Sequence, residues 1–216
     1  MTGTTSSRIH EHLRADILAG VYGPGDALPS ERRLSDDLGA GRHAVREALK
    51  RLQQSGLVRI SQGGATRVRD WRRQGGLDLL IELDELPAGL EIERPVMEMR
   101  ASVGADAARR CATRANAVVR AELEARAEML AAEADLDARN AIYEAFWDLV
   151  VEGADNLAYR LALNTLVSRK AVRLDGARVE AELRDGPAVR ALAAAIAAGD
   201  EDGAHAHARE LLERSV

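Results

Sequence analysis

Between residues 7 and 69 the chain presents one ordered series of signals: three short amphipathic stretches parted by glycine-rich breaks, then two short alternating segments around a glycine pair. No other feature narrows the fold as much. Ile9, Leu13 and Ile17 recur every fourth residue and lay an apolar stripe along a first helix over 7–19. Gly20-Val21-Tyr22-Gly23-Pro24-Gly25 stops it, because proline lacks a backbone donor and glycine accepts left-handed turns. Ser30, in Leu28-Pro29-Ser30-Glu31, is the N-cap of a second helix, with Glu31 favourable beside the positive end of its dipole. Leu34 and Leu38 face inward before the turn at Gly39-Ala40-Gly41. A third helix over 42–55 buries Val45, Ala48, Leu49 and Leu52, and Gly56 ends it. Leu57-Val58-Arg59-Ile60 and Thr66-Arg67-Val68-Arg69 then pair as a hairpin around Gln62-Gly63-Gly64-Ala65.

This is the order of a winged helix-turn-helix. Arg42 and Arg46 lie four apart on the outer face of the third helix, with His43 beside them. On an isolated helix such residues are simply solvated. At the start of the second helix of a helix-turn-helix they meet base edges and phosphates. Charge agrees: residues 1–70 carry 11 Lys/Arg against 8 Asp/Glu, whereas the rest carries 19 against 27. A basic front joined to an acidic back fits a DNA reader attached to a second domain.

The run Gly20…Pro24-Gly25…Leu28-Pro29-Ser30-Glu31-Arg32…Leu34-Ser35…Leu38-Gly39…Arg42…Val45-Arg46-Glu47-Ala48-Leu49…Leu52…Gly56-Leu57-Val58 resembles the DNA-binding domain of the GntR family. The resemblance implies DNA contacts from Arg32, Arg42, His43 and Arg46, and from Gln62 and Gly63 in the wing. It also implies a homodimer on a palindromic double-stranded operator. One position departs from the pattern: Gly41 stands where the family often has Ser or Thr, which removes a hydroxyl contact.

Trp71-Arg72-Arg73-Gln74-Gly75-Gly76 reads as a linker over 71–76, with Trp71 a packing residue. Beyond it the signals are helical, over 77–85, 91–112, 117–133, 136–153, 156–173, 177–184, 188–198 and 201–214, with N-caps at Asp135 and Asp155. The expected architecture is therefore mainly α: a winged helix-turn-helix over 1–70, then an all-helical antiparallel bundle over 77–216. Such a bundle resembles the FCD-type domain of the FadR subfamily, whose interior often holds a metal through one Asp and three His. Alignment on Phe146, Asn156 and the 195–200 stretch places those four positions at Tyr143, Trp147, Val189 and Leu211. None is an imidazole or a carboxylate, which a divalent ion requires, so no metal cofactor is expected. His205 and His207 point about 200° apart on a helix and cannot grip one ion together.

A metal-free branch that governs fatty-acid metabolism and binds long-chain acyl-CoA is similar in several windows. These are Gly64-Ala65-Thr66-Arg67-Val68-Arg69-Asp70-Trp71, Gly75-Gly76-Leu77-Asp78-Leu79-Leu80 and Asn156…Tyr159…Leu163-Asn164. That resemblance implies an acyl-CoA or fatty-acid effector among Tyr143, Trp147, Asn164, Val189 and Leu211. Arg100, Arg169 or Arg173 would supply a cation for its head group, or would form ordinary salt bridges. Another organic acid as effector, and a ligand-free dimeric DNA binder, stand as alternatives.

Other classes find little support. The opening seven residues have no apolar core for a signal peptide, and no apolar run reaches the roughly 20 residues of a membrane span. The expectation is a cytoplasmic protein with no membrane partner. Cys111 is the single cysteine, so no intrachain disulfide forms; it reads as a small buried residue, with a reactive thiol as the alternative. No phosphate-binding glycine loop or nucleophile–base pair suggests an enzyme.

Overall fold

The computed structural model describes residues 4–61, 64–77, 79–80, 92–167 and 176–216, with side chains of the last stretch from Val179 onward. It divides the chain into two compact units, Met1–Leu90 and Glu91–Val216.

In the first unit α1 (Thr5–Leu18), α2 (Glu31–Asp37) and α3 (Arg42–Gln54) precede β1 (Val58–Arg59), β2 (Arg67–Val68) and α4 (Trp71–Gln74). The apolar stripes meet as their spacing predicts. Ile9, Leu13 and Ile17 of α1 pack with Val45, Ala48, Leu49 and Leu52 of α3, all at most 4% exposed. Ser30 caps α2 by accepting a bond from the Arg33 amide at 3.3 Å. Gly56, with φ +76°, takes the left-handed conformation that turns the chain from α3 into β1. The strands are shorter than their sequence windows. They pair antiparallel with Val58 opposite Val68 and Arg59 opposite Arg67, and a single antiparallel bridge joins Ala27 to Arg67. Trp71 opens α4 half-buried, with the Arg72 guanidinium 4.3 Å from its ring centroid. The wing tip, Gln62 and Gly63, lies outside the described residues.

The second unit consists, among the described residues, of α5 (Glu93–Arg114), α6 (Ala117–Ala132), α7 (Leu136–Gly153), α8 (Leu157–Leu166), α9 (Gly176–Arg184), α10 (Gly186–Ala198) and α11 (Glu201–Glu213). Side-chain caps open most of them: Asn116 for α6, Asp135 for α7, Asn156 for α8, Asp185 for α10 and Asp200 for α11. Asp155, expected to cap α8, does not. It sits at φ +46° in the turn, and Asn156 accepts from the Ala158 and Tyr159 amides instead. The helix expected over 156–173 is described as far as Leu166, and 168–175 lie outside the described residues.

Helix α5 is central, touching α7, α8, α10 and α11. Its inward face is built from Ala101, Gly104, Ala105, Ala108 and Ala112, so neighbouring backbones approach closely. At Gly104 a Cβ would stand 2.5 Å from Leu212 Cδ1, so this glycine admits the α11 leucine. Arg120 ties two helix ends together, donating to the carbonyls of Ala112 and Ala115 at the end of α5 and of Ala197 at the end of α10, at 2.7–3.0 Å. A cation there opposes the negative ends of both dipoles.

Cys111 is wholly buried on α5. Burial pushes its thiol up to about 12, against a small opposing pull from Arg120. A thiol raised in the folded state favours folding fully below its ordinary value of 9.0, and that contribution is lost as pH rises from there toward about 12. Unfolding free energy is therefore expected to fall across that alkaline window in wild type and to fall less in Cys111→Ala. In the folded protein at pH 8, Cys111 should resist a maleimide that labels it rapidly in urea. Fast labelling of the folded protein would contradict this placement.

Candidate nucleic-acid interface and effector cavity

The reading head follows from the amphipathicity of α3. Because Val45, Ala48, Leu49 and Leu52 are buried, the opposite face carrying Arg42, His43 and Arg46 is exposed, as is Arg32 on α2. The Arg46 guanidinium is not loose. Its Nη2 donates to Glu31 Oε2 at 3.0 Å and its Nε to the same oxygen at 3.3 Å. This bond and the Glu31 charge raise its pKa further. The link joins the first turn of α2 to α3, so Glu31, read from sequence only as a dipole partner, also orients the Arg46 side chain. Gly41 caps α3 without any side-chain bond, as expected where no hydroxyl is present.

The second unit holds a cavity of about 730 Å³ that is partly open to solvent. One face of α7 forms much of its wall: Leu136, Asn140, Tyr143, Trp147 and Val151 line it at helical spacing. Helix α8 adds Arg160, Leu163, Asn164 and Val167, α9 adds Val179 and Leu183, α5 adds Arg100 and α11 adds Leu212. Tyr143 and Phe146 meet Trp147 edge-on at 6.3 and 6.1 Å between ring centroids, which fixes the indole.

Against the wall lies a buried polar network. Arg100 is 7% exposed and donates through both terminal nitrogens to Glu182, Nη1 to Oε1 at 2.7 Å and Nη2 to Oε2 at 2.8 Å. The Tyr143 hydroxyl donates to Glu182 Oε2 at 2.5 Å, and the Ser215 hydroxyl bonds to Oε1. Glu182 is 0% exposed, so this carboxylate exists inside the domain only because donors surround it. Burial by itself works to lower the Arg100 pKa, and the Glu182 bonds and charge overcome it, so the net direction is up. Burial and the Glu182 charge push the Tyr143 phenol well above its usual value. The Trp147 N–H is near enough to draw it slightly back, yet the two do not meet in hydrogen-bonding geometry.

Four of the residues expected around an effector therefore line one cavity: Arg100, Tyr143, Trp147 and Asn164. Two do not. Val189 and Leu211 are 0% exposed in the core and are absent from the lining, where Leu212 stands. A step of one residue turns a helical side chain by about 100°, so a register counted from sequence alone selected the wrong neighbour. Arg100 faces the cavity, but both its terminal nitrogens are committed to Glu182. Arg169 and Arg173 lie outside the described residues. Sequence reasoning missed Glu182, although a signal existed: it shares the inward-facing series of α9 with Val179 and Leu183, where a carboxylate demands a partner.

The side chains that the sequence comparison expects at the four FadR-type metal positions do not fit a divalent ion. Tyr143 is a neutral phenol engaged with Glu182, Trp147 offers only a donor, and Val189 and Leu211 are apolar. His205 on α11 lies 3.7 Å from Asp106, and both it and His207 are partly exposed.

Two family models match the chain in succession. Residues 5–68 match the gntR family of bacterial regulatory proteins, and residues 95–214 match the FCD domain. The HTH-type transcriptional regulator Mce2R of Mycobacterium tuberculosis is 38% identical over 209 residues, covering 95% of this chain and 87% of that protein. The fatty acid metabolism regulator protein of Shewanella halifaxensis is 34% identical over 102 residues, 46% of this chain and 43% of that one. The solved structure of Lar, which controls expression of the Listeria monocytogenes agr system, shares the fold, with a TM-score of 0.50. Its sequence is 16% identical, and the match covers 100% of this chain and 98% of that one. With a helix-turn-helix that exposes its arginines, a helical domain built around a cavity, and both family models matched in order, the chain belongs to the GntR family, in its FadR-type branch of transcriptional regulators with an FCD domain.

Proposed function

We propose that this regulator is a metal-free cytoplasmic homodimer that binds a palindromic operator and is released from it by an amphipathic acyl compound, a fatty acyl-CoA or a fatty acid. The observation that carries the effector half is the cavity of about 730 Å³, whose wall joins Leu, Val, Tyr and Trp side chains to charged and amide ones such as Arg100, Arg160 and Asn164. This lies within the roughly 300–1,000 Å³ of ordinary ligand pockets. An apolar chain gains free energy there by leaving water. The fatty acid metabolism regulators among its relatives support the class, and a ligand-free architectural binder would have no use for the space. The protein acts by binding, and its relatives are transcriptional regulators.

On DNA, Arg32, Arg42, His43, Arg46 and the wing, with Gln62 and Gly63 at its tip, make the contacts. The uncapped start of α3 offers its first amides to a phosphate. Two copies related by a two-fold axis read two half-sites. The effector releases DNA only by preferring a state that fits the operator less well.

The test is fluorescence anisotropy on an operator selected from random duplexes, titrated with palmitoyl-CoA and separately with palmitate. The expected result is a loss of DNA affinity between about 5-fold and 150-fold with at least one of them. Chelator treatment should leave folding and DNA affinity unchanged. Binding of acyl ligand with no change in DNA affinity would refute the coupling, and tightly held zinc or nickel would refute the metal-free reading.

A further inference from the structure

The two units carry their exposed arginines differently. In the second unit many lie against carboxylates, as Arg94 does with Glu98, Arg109 with Asp202 and Arg209 with Glu213, at 2.7–2.9 Å. In the first, residues 57–76 hold five arginines, Arg59, Arg67, Arg69, Arg72 and Arg73, against one acidic residue, Asp70. None of the five forms an ion pair among the described residues. A surface charged only for solubility intersperses both signs, whereas a field of one sign attracts a partner of the other.

The hairpin gathers these charges into a stripe. Arg59 and Arg67 stand directly opposite each other on β1 and β2, both exposed, while Val58 and Val68 turn into the core. Directly opposed side chains share one face of a strand pair, and like charges so placed repel. Strand alternation puts Arg69, two residues beyond Arg67, on the same face, and its amide extends the pairing to the Leu57 carbonyl at 2.9 Å. Arg72 and Arg73 continue the series, exposed on α4. Uncharged groups hold three of the side chains. Arg67 Nη1 donates to the Gly25 carbonyl at 2.8 Å, Arg69 Nε donates to Gln74 Oε1 at 3.0 Å, and the Arg72 guanidinium lies over the Trp71 ring. Such contacts orient a cation without cancelling its charge, and a polyanion laid across the stripe relieves the repulsion.

We infer that Arg59, Arg67, Arg69, Arg72 and Arg73 form a second DNA-contacting surface, which grips the phosphate backbone beside the bases that α3 reads and is blind to sequence. The partner follows from charge and from continuity. Strand β1 follows α3 closely in the chain and packs against it in the same compact unit, so the stripe belongs to the body that carries Arg42 and Arg46. When that body reads DNA, the extended polyanion beside it is the phosphodiester backbone, whose oxygens suit the guanidinium fork. The inference rests on the helix-turn-helix as a DNA reader and adds contacts that α3 does not supply.

The test is the salt dependence of DNA affinity, measured by fluorescence anisotropy on full-length protein with the selected operator and with an unrelated duplex of equal length. One variant combines Arg59→Gln, Arg67→Gln, Arg72→Gln and Arg73→Gln, and a second makes the same four changes to lysine. Each phosphate contact given up flattens the plot of log affinity against log salt by about 0.9. At one or two phosphates per subunit, the glutamine variant should lose about 2–4 from the slope of a bound dimer, on both duplexes alike. Its low-salt affinity should fall by about tenfold or more on each, with the ratio of operator to unrelated binding within about twofold of wild type. Lysine keeps the charge without the guanidinium bonds and should restore most of the slope. A wild-type slope in the glutamine variant would overturn the assignment and leave the stripe to another polyanion. A lysine variant as impaired as the glutamine one would overturn it too, because the arginines would then serve the fold of the hairpin. Loss of the operator preference would make them base readers and refute the blindness to sequence. If wild type binds neither duplex, the DNA-reader reading itself fails, which is a different result from the others.

Discussion

Glu182→Ala is expected to destabilise the helical domain by about 3–5 kcal/mol, the cost of stranding a buried charge. Arg100 would lose both of its bonds, at 2.7 and 2.8 Å, in a site where it is only 7% exposed. Tyr143 and Ser215 would lose the same acceptor. The effect should appear in urea denaturation as a lower midpoint with little change in slope. Removing the charge from both sides separates this account from a simple packing defect. Arg100→Met combined with Glu182→Leu replaces a buried pair by apolar side chains of similar reach, and should recover most of the loss. A stability within about 1 kcal/mol of wild type for Glu182→Ala would mean that the network is not closed as described. The network joins α5, α7, α9 and the C-terminal Ser215 behind the cavity wall, so a ligand that shifts one of these helices strains the others. This gives the effector a rigid element to act upon.

Arg46→Ala should lower operator affinity by a factor of about 5 to 150, matching the roughly 1–3 kcal/mol of a good bidentate base contact. Binding to unrelated duplex DNA should fall much less. Arg46 is exposed, so thermal stability and dimerisation are expected to stay as in wild type. Glu31→Gln probes the same guanidinium indirectly: it loosens the bonds at 3.0 and 3.3 Å without touching DNA, and should cost a smaller factor. Unchanged operator affinity in Arg46→Ala would move the reading face elsewhere on the domain.

The two predictions differ in how far they could be anticipated from the chain. The exposed arginines of α3 were legible because every signal that places them is local. Spacings of three and four put Val45, Ala48, Leu49 and Leu52 inside, and that alone turns Arg42 and Arg46 outward. Capping at Ser30 and Asp135 acts within three residues. Helix boundaries in the second domain followed from the same rules. Where they failed, at Asp155, the neighbouring Asn156 offered an equivalent oxygen one residue later.

Glu182 and Leu212 were beyond such reasoning. Arg100 and Glu182 are 82 residues apart in sequence, so their bond depends on how α5 and α9 pack, which no short-range period encodes. Leu212 lines the cavity in place of Leu211 because the rotation of α11 about its axis is set by contact with α5, where Gly104 leaves room for it. The sequence by itself determined which elements form and which faces are apolar. Only the tertiary structure decided which polar groups meet, and that Arg100 is satisfied while Trp147 keeps an unpaired donor. The division has a physical cause: periodicity and capping act over one helical turn, whereas a buried charge or N–H is satisfied by whatever distant helix packing brings against it.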